Sequence, residues 1–473
     1  MERREAGAIY DAGREVVVEV LLRMDRQIGQ LTARVERLER ELAKNSRNSS
    51  RPPSSDPPAA KKGKPARPKG RSGKRQGAQP GHEGHGRELL PTMAVDEVVV
   101  HWPAGCACGH VFLEAERVAV GESVRHRVED LPQISTIVIE HQCPRVCCPD
   151  CGQRPRATLP AQVAASAFGP RLQAAIATVS VRNRISRRDV VELCEQLFGA
   201  RVSTGSIDAI MARAGDALTD PYDDLLARVR AASAVNMDET GWRLKGRQRT
   251  LWGAFSDRHA VLCVTGSRHE DHAREILRDS GAVVTSDRWW AYNHLPIARR
   301  QICWSHLQRD FQAHTEGLAA EHELGDHGLR ICDELFWSWE IYQHTHDRRE
   351  LTRRIRALRR ELKPILRRYS GKAPRYKRTR GLAHNLLKLW PALWTFTAKR
   401  GVTPTNNHAE RALRSAVIYR KLSLGSQSTD GETRIARLLS AHTTCRLQTR
   451  SLFNYLADAL DHHARGTPVP LLA

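Results

Sequence analysis

Residues 232–240 read ASAVNMDET and residues 281–287 read GAVVTSD, two β-rich runs that each end in acids. Between them lie LWGAFSD (251–257) and HAVLCVTG (259–266), two more apolar runs divided by the polar turn Asp257-Arg258. HEDHAREILRDS (269–280) has the spacing of an amphipathic helix, and RRQICWSHL (299–307) supplies a fifth strand. Apolar runs of this length bounded by turn residues predict strands, and a change of period marks the helix between them.

Three strands, a helix and two more strands, with carboxylates ending the first and fourth, is the order of an RNase H-like core. The acids explain themselves chemically. Attack on a phosphodiester needs an activated water or hydroxyl and a stabilised leaving oxygen, and two divalent ions ~3.5–4 Å apart supply both. Mg²⁺ or Mn²⁺ prefers carboxylate oxygens, so a few acids converging from separate elements make such a site. Asp238 and Asp287 are positioned to share one ion, and a third carboxylate is required for the other. Glu410 is the candidate. It lies in TPTNNHAERALRSAVIYRK (403–421), where Thr405 and Asn406 are good helix N-caps. At ~100° per residue, Arg414 and Lys421 fall within ~40° of Glu410, so cations able to hold phosphates follow the carboxylate along one face. The chain shows no P-loop pattern and no nucleophilic Ser or Tyr constellation.

Outward from this core, 75 Lys and Arg against 53 Asp and Glu leave a formal charge of +22, which selects polyanionic partners, DNA above all. No apolar run approaches the ~18 residues of a membrane span, and the N-terminus lacks a signal-peptide pattern. Eleven cysteines, an odd number, fit a reducing cytoplasm around the bacterial nucleoid better than a disulfide scaffold. Residues 1–44 carry heptads: Leu21, Ile28, Val35 and Leu42 alternate with Met24, Leu31 and Leu38, predicting a coiled coil that joins copies of the chain or a helix lying on its own domain. Residues 45–95 form a Pro/Gly-rich basic linker. Residues 96–160 bear Cys106 and Cys108 in PAGCACGH and Cys148 and Cys151 in CCPDCGQ, flanking the β-rich stretch 123–142. Two close thiol pairs predict one structural Zn²⁺ with no open coordination position. Residues 161–230 are helical. The two helices around Gly199, the second starting at Ser203-Thr204, are either a helix-turn-helix or part of a plain bundle.

NMDETGWR (236–243), SDRWWAY (286–292), RQICWSHLQRDF (300–311) and TNNHAERALRSAVIYRKLSLGS (405–426) resemble the large transposase subunit of the insertion sequence 66 family. The heptads, the NSSRPPSSD linker and the thiol module resemble it too. The resemblance implies a DDE transposase that acts on the inverted ends of its element and on target DNA, alongside accessory transposition proteins. It implies Asp238, Asp287 and Glu410 as the triad on two Mg²⁺ or Mn²⁺ ions, and Arg411, Arg414, Arg420 and Lys421 as DNA contacts. Asn406 and Asn407 belong to its glutamate-helix motif as supporting residues. One departure is Gly105, which stands where the family's leading cysteine would be. Residues 313–401 resemble the all-helical insertion of some DDE transposases, between the core's first part (231–312) and its second (402–473). Between Arg348 and Arg380 it holds fifteen Lys or Arg against Glu350 and Glu361. Cys303 and His306 form the C-x-x-H signature of such enzymes, expected to pack and hydrogen-bond beneath the site. Trp289, Trp290 and Tyr292 either stack on an unpaired base or pack in the core.

Overall fold

A computed structural model describes residues 10–44, 89–371 and 377–472. Most of the expected linker, up to residue 88, lies outside them. The chain forms two compact units: Lys62–Thr136 with Leu197–Gly199, and Met1–Lys61, Ile137–Gln196 and Ala200–Ala473. In the larger unit, α1 (Arg14–Ala43) carries Leu21, Ile28, Leu31, Val35 and Leu38 exposed along its length, so the heptad seam is not packed on the rest of the unit. The bundle helices follow: α2 (Pro170–Val181), α3 (Arg187–Phe198), α4 (Thr204–Ala217) and α5 (Thr219–Ala231).

Then comes a five-stranded sheet: β1 (Ala234–Leu244), β2 (Arg247–Phe255), β3 (Ala260–Thr265), α6 (Glu270–Leu277), β4 (Val283–Ser286) and β5 (Arg300–Ile302). The strand order is β3-β2-β1-β4-β5. β1, β2 and β3 pair antiparallel, whereas β4 and β5 continue parallel to β1. Burial on both faces accounts for the unbroken apolar run of β4, all four residues of which are buried. β1 is longer than its acid-terminated reading, because β2 goes on pairing with it from Glu239↔Trp252 to Leu244↔Arg247, past the point where β4 stops. Asp238 therefore sits inside β1, at the end of its parallel pairing only.

The chain after β5 is helical: α7 (Trp304–Thr315), α8 (Ala319–Thr345), α9 (Arg348–Ser370), α10 (Lys377–Lys388), α11 (Asn407–Ser423), α12 (Thr429–Leu447) and α13 (Leu452–Ala464). On α9, Leu351, Ile355, Leu358, Leu362, Leu366 and Tyr369 recur at helical spacing and are buried. They join Trp304, Phe311, Trp390 and Phe396 in a core that continues into Val283 and Ile302 of the sheet, so residues 313–401 are fused to it.

One expectation needs correction. Residues 123–142 make no strand. Val124, Ile137 and Val138 are exposed and only isolated bridges, Gly105↔Val111 and Arg145↔Arg156, flank them, because alternation without a neighbouring strand leaves no ladder to form. Helix α4 is a bundle helix: Ile207, Ile210, Met211 and Ala214 are buried, and Thr204, Gly205, Asp208 and Ala209 on its open side carry no cation. Its Arg213 is tied to Gln173 and the Ala165 carbonyl.

Candidate active site

The parallel register decides where the two aspartates lie. Asn236 pairs with Thr285, so Asp238 and Asp287 each stand two residues beyond the last matched pair of β1 and β4. Residues at equal distance along adjacent parallel strands share a face, at the carboxyl edge of β4 where open α/β sheets place their ligands. The Asp287 carboxylate accepts the Trp289 N–H at 2.9 Å, and that of Asp238 accepts the Glu239 N–H at 3.0 Å.

Glu410 arrives on α11, which is fastened to β1 through Asn406. That residue is fully buried, and its side-chain amide donates to the Met237 carbonyl at 2.7 Å and accepts from Asn236 at 3.0 Å. Its backbone N–H reaches the Cys303 sulfur at 3.0 Å. Asn406 is the N-cap by position, yet its side chain makes no cap; the strand claims it. Trp304 N–H donates to the Pro404 carbonyl at 2.9 Å and Ser305 to Asn407 at 3.3 Å, so α7 and α11 start from one tied junction. This is the packing and hydrogen-bonding role expected of Cys303. His306 and Arg309, one turn further along α7, approach the Glu410 carboxylate at 3.8 and 3.7 Å. Burial, then Arg309 and Arg288, push the His306 imidazole down to about 3, so it is neutral, and its Nδ1 has no hydrogen-bond partner.

The electrostatics mark these acids out. Asp238 is held well above the usual carboxylate range by burial and by the charges of Glu239, Asp287 and Glu410. Asp287 is pushed up to about 6 by burial and by Glu239, against the Trp289 N–H, Arg268 and Arg288. Perturbed acids gathered at one sheet edge are a functional signature. Among the described residues, no three His, Cys, Asp or Glu side chains are gathered closely enough to hold an ion between them.

Glu239 is the neighbour the sequence reading missed. Its carboxylate is nearly sealed, bonded by Arg268 through Nε at 2.7 Å and by the Tyr292 hydroxyl at 2.5 Å. Arg268 in turn lies 4.3 Å over the Trp289 ring. The only signal was the second acid of NMDET; nothing in the β3–α6 loop announced Arg268. Tyr292 is buried against Trp252, so for it packing is the correct alternative, while Trp289 is half-buried and Trp290 is 43% exposed. Trp242, also core, donates to Ser426.

Among the expected DNA contacts, Arg411, Arg414 and Lys421 are exposed. Arg420 is spent on Thr240 and the Gly241 carbonyl, a structural tie between α11 and β1. Along α9, Arg349, Arg356, Arg360 and Arg367 are exposed without an ion-pair partner among the described residues, and their spacing of seven, four and seven residues puts them on one stripe. Cys106 and Cys108 flank a turn closed by Gly109 N–H on the Cys106 carbonyl; Cys148 and Cys151 flank another closed by Gly152 N–H on the Cys148 carbonyl. In each pair the second residue's amide lowers the first thiol.

Residues 165–434 match the sequence profile of the family described as "Transposase IS66 family". Residues 6–88 match a family of unknown function, DUF6444. Two proteins of Sinorhizobium fredii (strain NBRC 101917 / NGR234), y4hP and y4qI, both described as uncharacterized, are 24% identical to the chain over 406 and 404 residues, 77% of this chain and 71% of each of theirs.

Proposed function

Because the chain belongs to the IS66 family of transposases, we propose that it cuts the ends of an insertion sequence and joins them to target DNA, using an RNase H-like core with Asp238, Asp287 and Glu410 as its catalytic acids. The observation that carries this reading is the shared register of Asp238 and Asp287 with a glutamate helix clamped one residue before Asp238. The donor set suits two Mg²⁺ or Mn²⁺ ions: it is all carboxylate oxygen, and each aspartate is burdened by like charge that a hard cation relieves. Such ions, when bound, activate the attacking oxygen and stabilise the leaving one.

The chain's own groups do the positioning. The Trp289 amide holds the Asp287 carboxylate, the Arg309 guanidinium attracts Glu410 from 3.7 Å, and Arg268 fixes the Trp289 ring where an unpaired base can stack beside it. Water hydrolyses the 3′ strand end, and the freed hydroxyl attacks target DNA, so no covalent protein–DNA intermediate is needed. Arg411, Arg414, Lys421 and the α9 stripe contact phosphates. Cys106 with Cys108, and Cys148 with Cys151, are the thiol pairs that would ligate structural Zn²⁺. The seam of α1 pairs with a second copy of the chain, and accessory transposition proteins act beside it. No described helix is long and apolar enough to cross a membrane; the proposed site of action is the nucleoid in the bacterial cytoplasm.

The deciding experiment supplies precut element ends, target plasmid and Mg²⁺. Joined products are expected; cutting without joining at any metal concentration would reduce the protein to a nuclease. The stripe gives a second result. Changing Arg349, Arg356, Arg360 and Arg367 together to Gln is expected to lower the slope of log affinity against log salt by about 3–4, at ~0.9 per phosphate contact. An unchanged slope removes α9 from the DNA surface.

A pH result follows from the raised aspartates. Their folded values lie above the unfolded ones, so the protonated forms favour the fold. That contribution is present at low pH and, for Asp287, is lost as pH rises from about 4 through about 6. Mg²⁺ is therefore expected to raise the melting temperature more at pH 7.5 than at pH 5, where protons compete for the same oxygens. Equal shifts at both pH values would place the ion elsewhere.

A further inference from the structure

A cavity of about 550 Å³ lies between the bundle and the segment that follows α11. Ser180 and Arg184 at the end of α2, Arg187 of α3, Met211 of α4, Tyr419 of α11 and Arg434 of α12 all line it, with the loop 423–428 at its edge. That loop begins with SLGS, the end of the longest motif, and nothing in the cutting chemistry uses it.

The loop is built rather than slack. Leu424 adopts φ 58° and Gly425 φ 99°, and a Cβ on Gly425 would meet the Arg243 carbonyl at 2.2 Å, so only glycine fits. Ser426 N–H donates to that same carbonyl at 2.8 Å, and Lys245 N–H donates to the Ser426 carbonyl at 3.0 Å. The cavity edge is thereby pinned to the β1–β2 hairpin, the strand that carries Asp238.

Three arginines against one acid, Asp208, line the cavity. Arg187 is held by Asp208 at 2.7 Å and Arg434 by Asp216 through two bonds of 2.8 Å. Arg184 has no ion pair or hydrogen bond among the described residues. It also adopts φ 62°, a left-handed conformation that costs energy for a residue with a side chain. Ser180 is 1% exposed, and its hydroxyl, in the wall of the cavity, has no partner either. A buried hydroxyl without a partner is costly, and an unpaired guanidinium lining the same cavity leaves two donors there without an acceptor.

We propose that this cavity binds one phosphodiester of a DNA strand, its phosphate on Arg184 and Ser180 and its sugar or base against Met211 and Tyr419. This rests on the transposase reading and extends it: the strand leaving the acids is gripped at a second point fixed to the same sheet.

The test uses the full chain and an end-bearing duplex in which single phosphates are replaced, one at a time, by neutral methylphosphonates. At one position, neutralisation is expected to weaken wild-type binding about tenfold, the size of one charge-assisted hydrogen bond, yet leave Arg184→Gln unaffected. Arg184→Lys should recover most of the wild-type pattern, and Arg465→Gln, whose arginine pairs with Asp461 near the C-terminus, should keep all of it. If every substituted phosphate costs Arg184→Gln as much as it costs wild type, the proposal is overturned. It is also overturned if millimolar nucleoside monophosphate displaces the duplex from wild type but not from Arg184→Gln, since the cavity would then take free nucleotide. A chain that binds no duplex at all sinks the transposase reading as well; binding with an unaltered pattern sinks only this site.

Discussion

Asp238→Asn is expected to reduce Mg²⁺-dependent cleavage of element ends by at least ~10³-fold while end binding persists. The substitution keeps the size of the side chain and its acceptor for the Glu239 N–H. It removes one negative charge from a cluster in which Glu239, Asp287 and Glu410 all act on Asp238, so the fold is not expected to suffer. A gel-shift assay and a cleavage assay on the same preparation separate the two properties. Cleavage that survives in Asp238→Asn, and again in Asp287→Asn and Glu410→Gln, would sink the three-acid mechanism. Asp287→Asn carries an added readout, because its acid, raised to about 6, contributes to the pH dependence of stability and its amide cannot.

Asn406→Ala is expected to cost about 3 kcal/mol of stability, since it strands two groups that found their partners in one amide, the Met237 carbonyl and the Asn236 side chain. Activity should fall further than stability does. Measured at a temperature where the variant is still folded, cleavage should be reduced ~10²-fold or more, because an error near 1 Å in Glu410 is expensive for a pre-organised site. Asn406→Asp sharpens the comparison. It keeps an acceptor for Asn236, loses the donor to Met237 and adds a fourth negative charge beside Asp238, so it should be at least as damaging. If Asn406→Ala cleaves normally once folded, the clamp has no part in placing Glu410.

The element order of the sheet could be read from the chain because apolar runs bounded by turn residues are local signals. The extent of β1 could not. Its second half is held by β2 alone, and a hairpin that outlasts the neighbouring parallel strand leaves no mark at the residue where the two diverge. Asn406 was visible as a cap residue, and the capping signal is genuine, but tertiary pairing with Met237 outcompeted it. Arg420 looked like another phosphate contact on a basic helix; the Gly241 carbonyl took it instead. Glu239 and Arg268 are 29 positions apart and meet only through the fold, so no spacing rule could join them. The basic stripe of α9 was legible as density of charge, whereas which of its arginines stay unpaired depended on Glu350 and Glu323.

The same clamp also has a bearing on how the protein is made. Asp238 and Asp287 leave the ribosome early, but the residue that fastens the third acid to them follows Asp287 by 119 positions (406 − 287), after all of α7 to α10. A nascent chain arrested late in that interval, after Arg367, carries Asp238, Asp287 and the α9 stripe, with the Met237 carbonyl still lacking its partner. Such a product would bind DNA and cut nothing. On the proposed mechanism, vectorial synthesis would delay the capacity to cut DNA until the fold around the three acids is nearly complete.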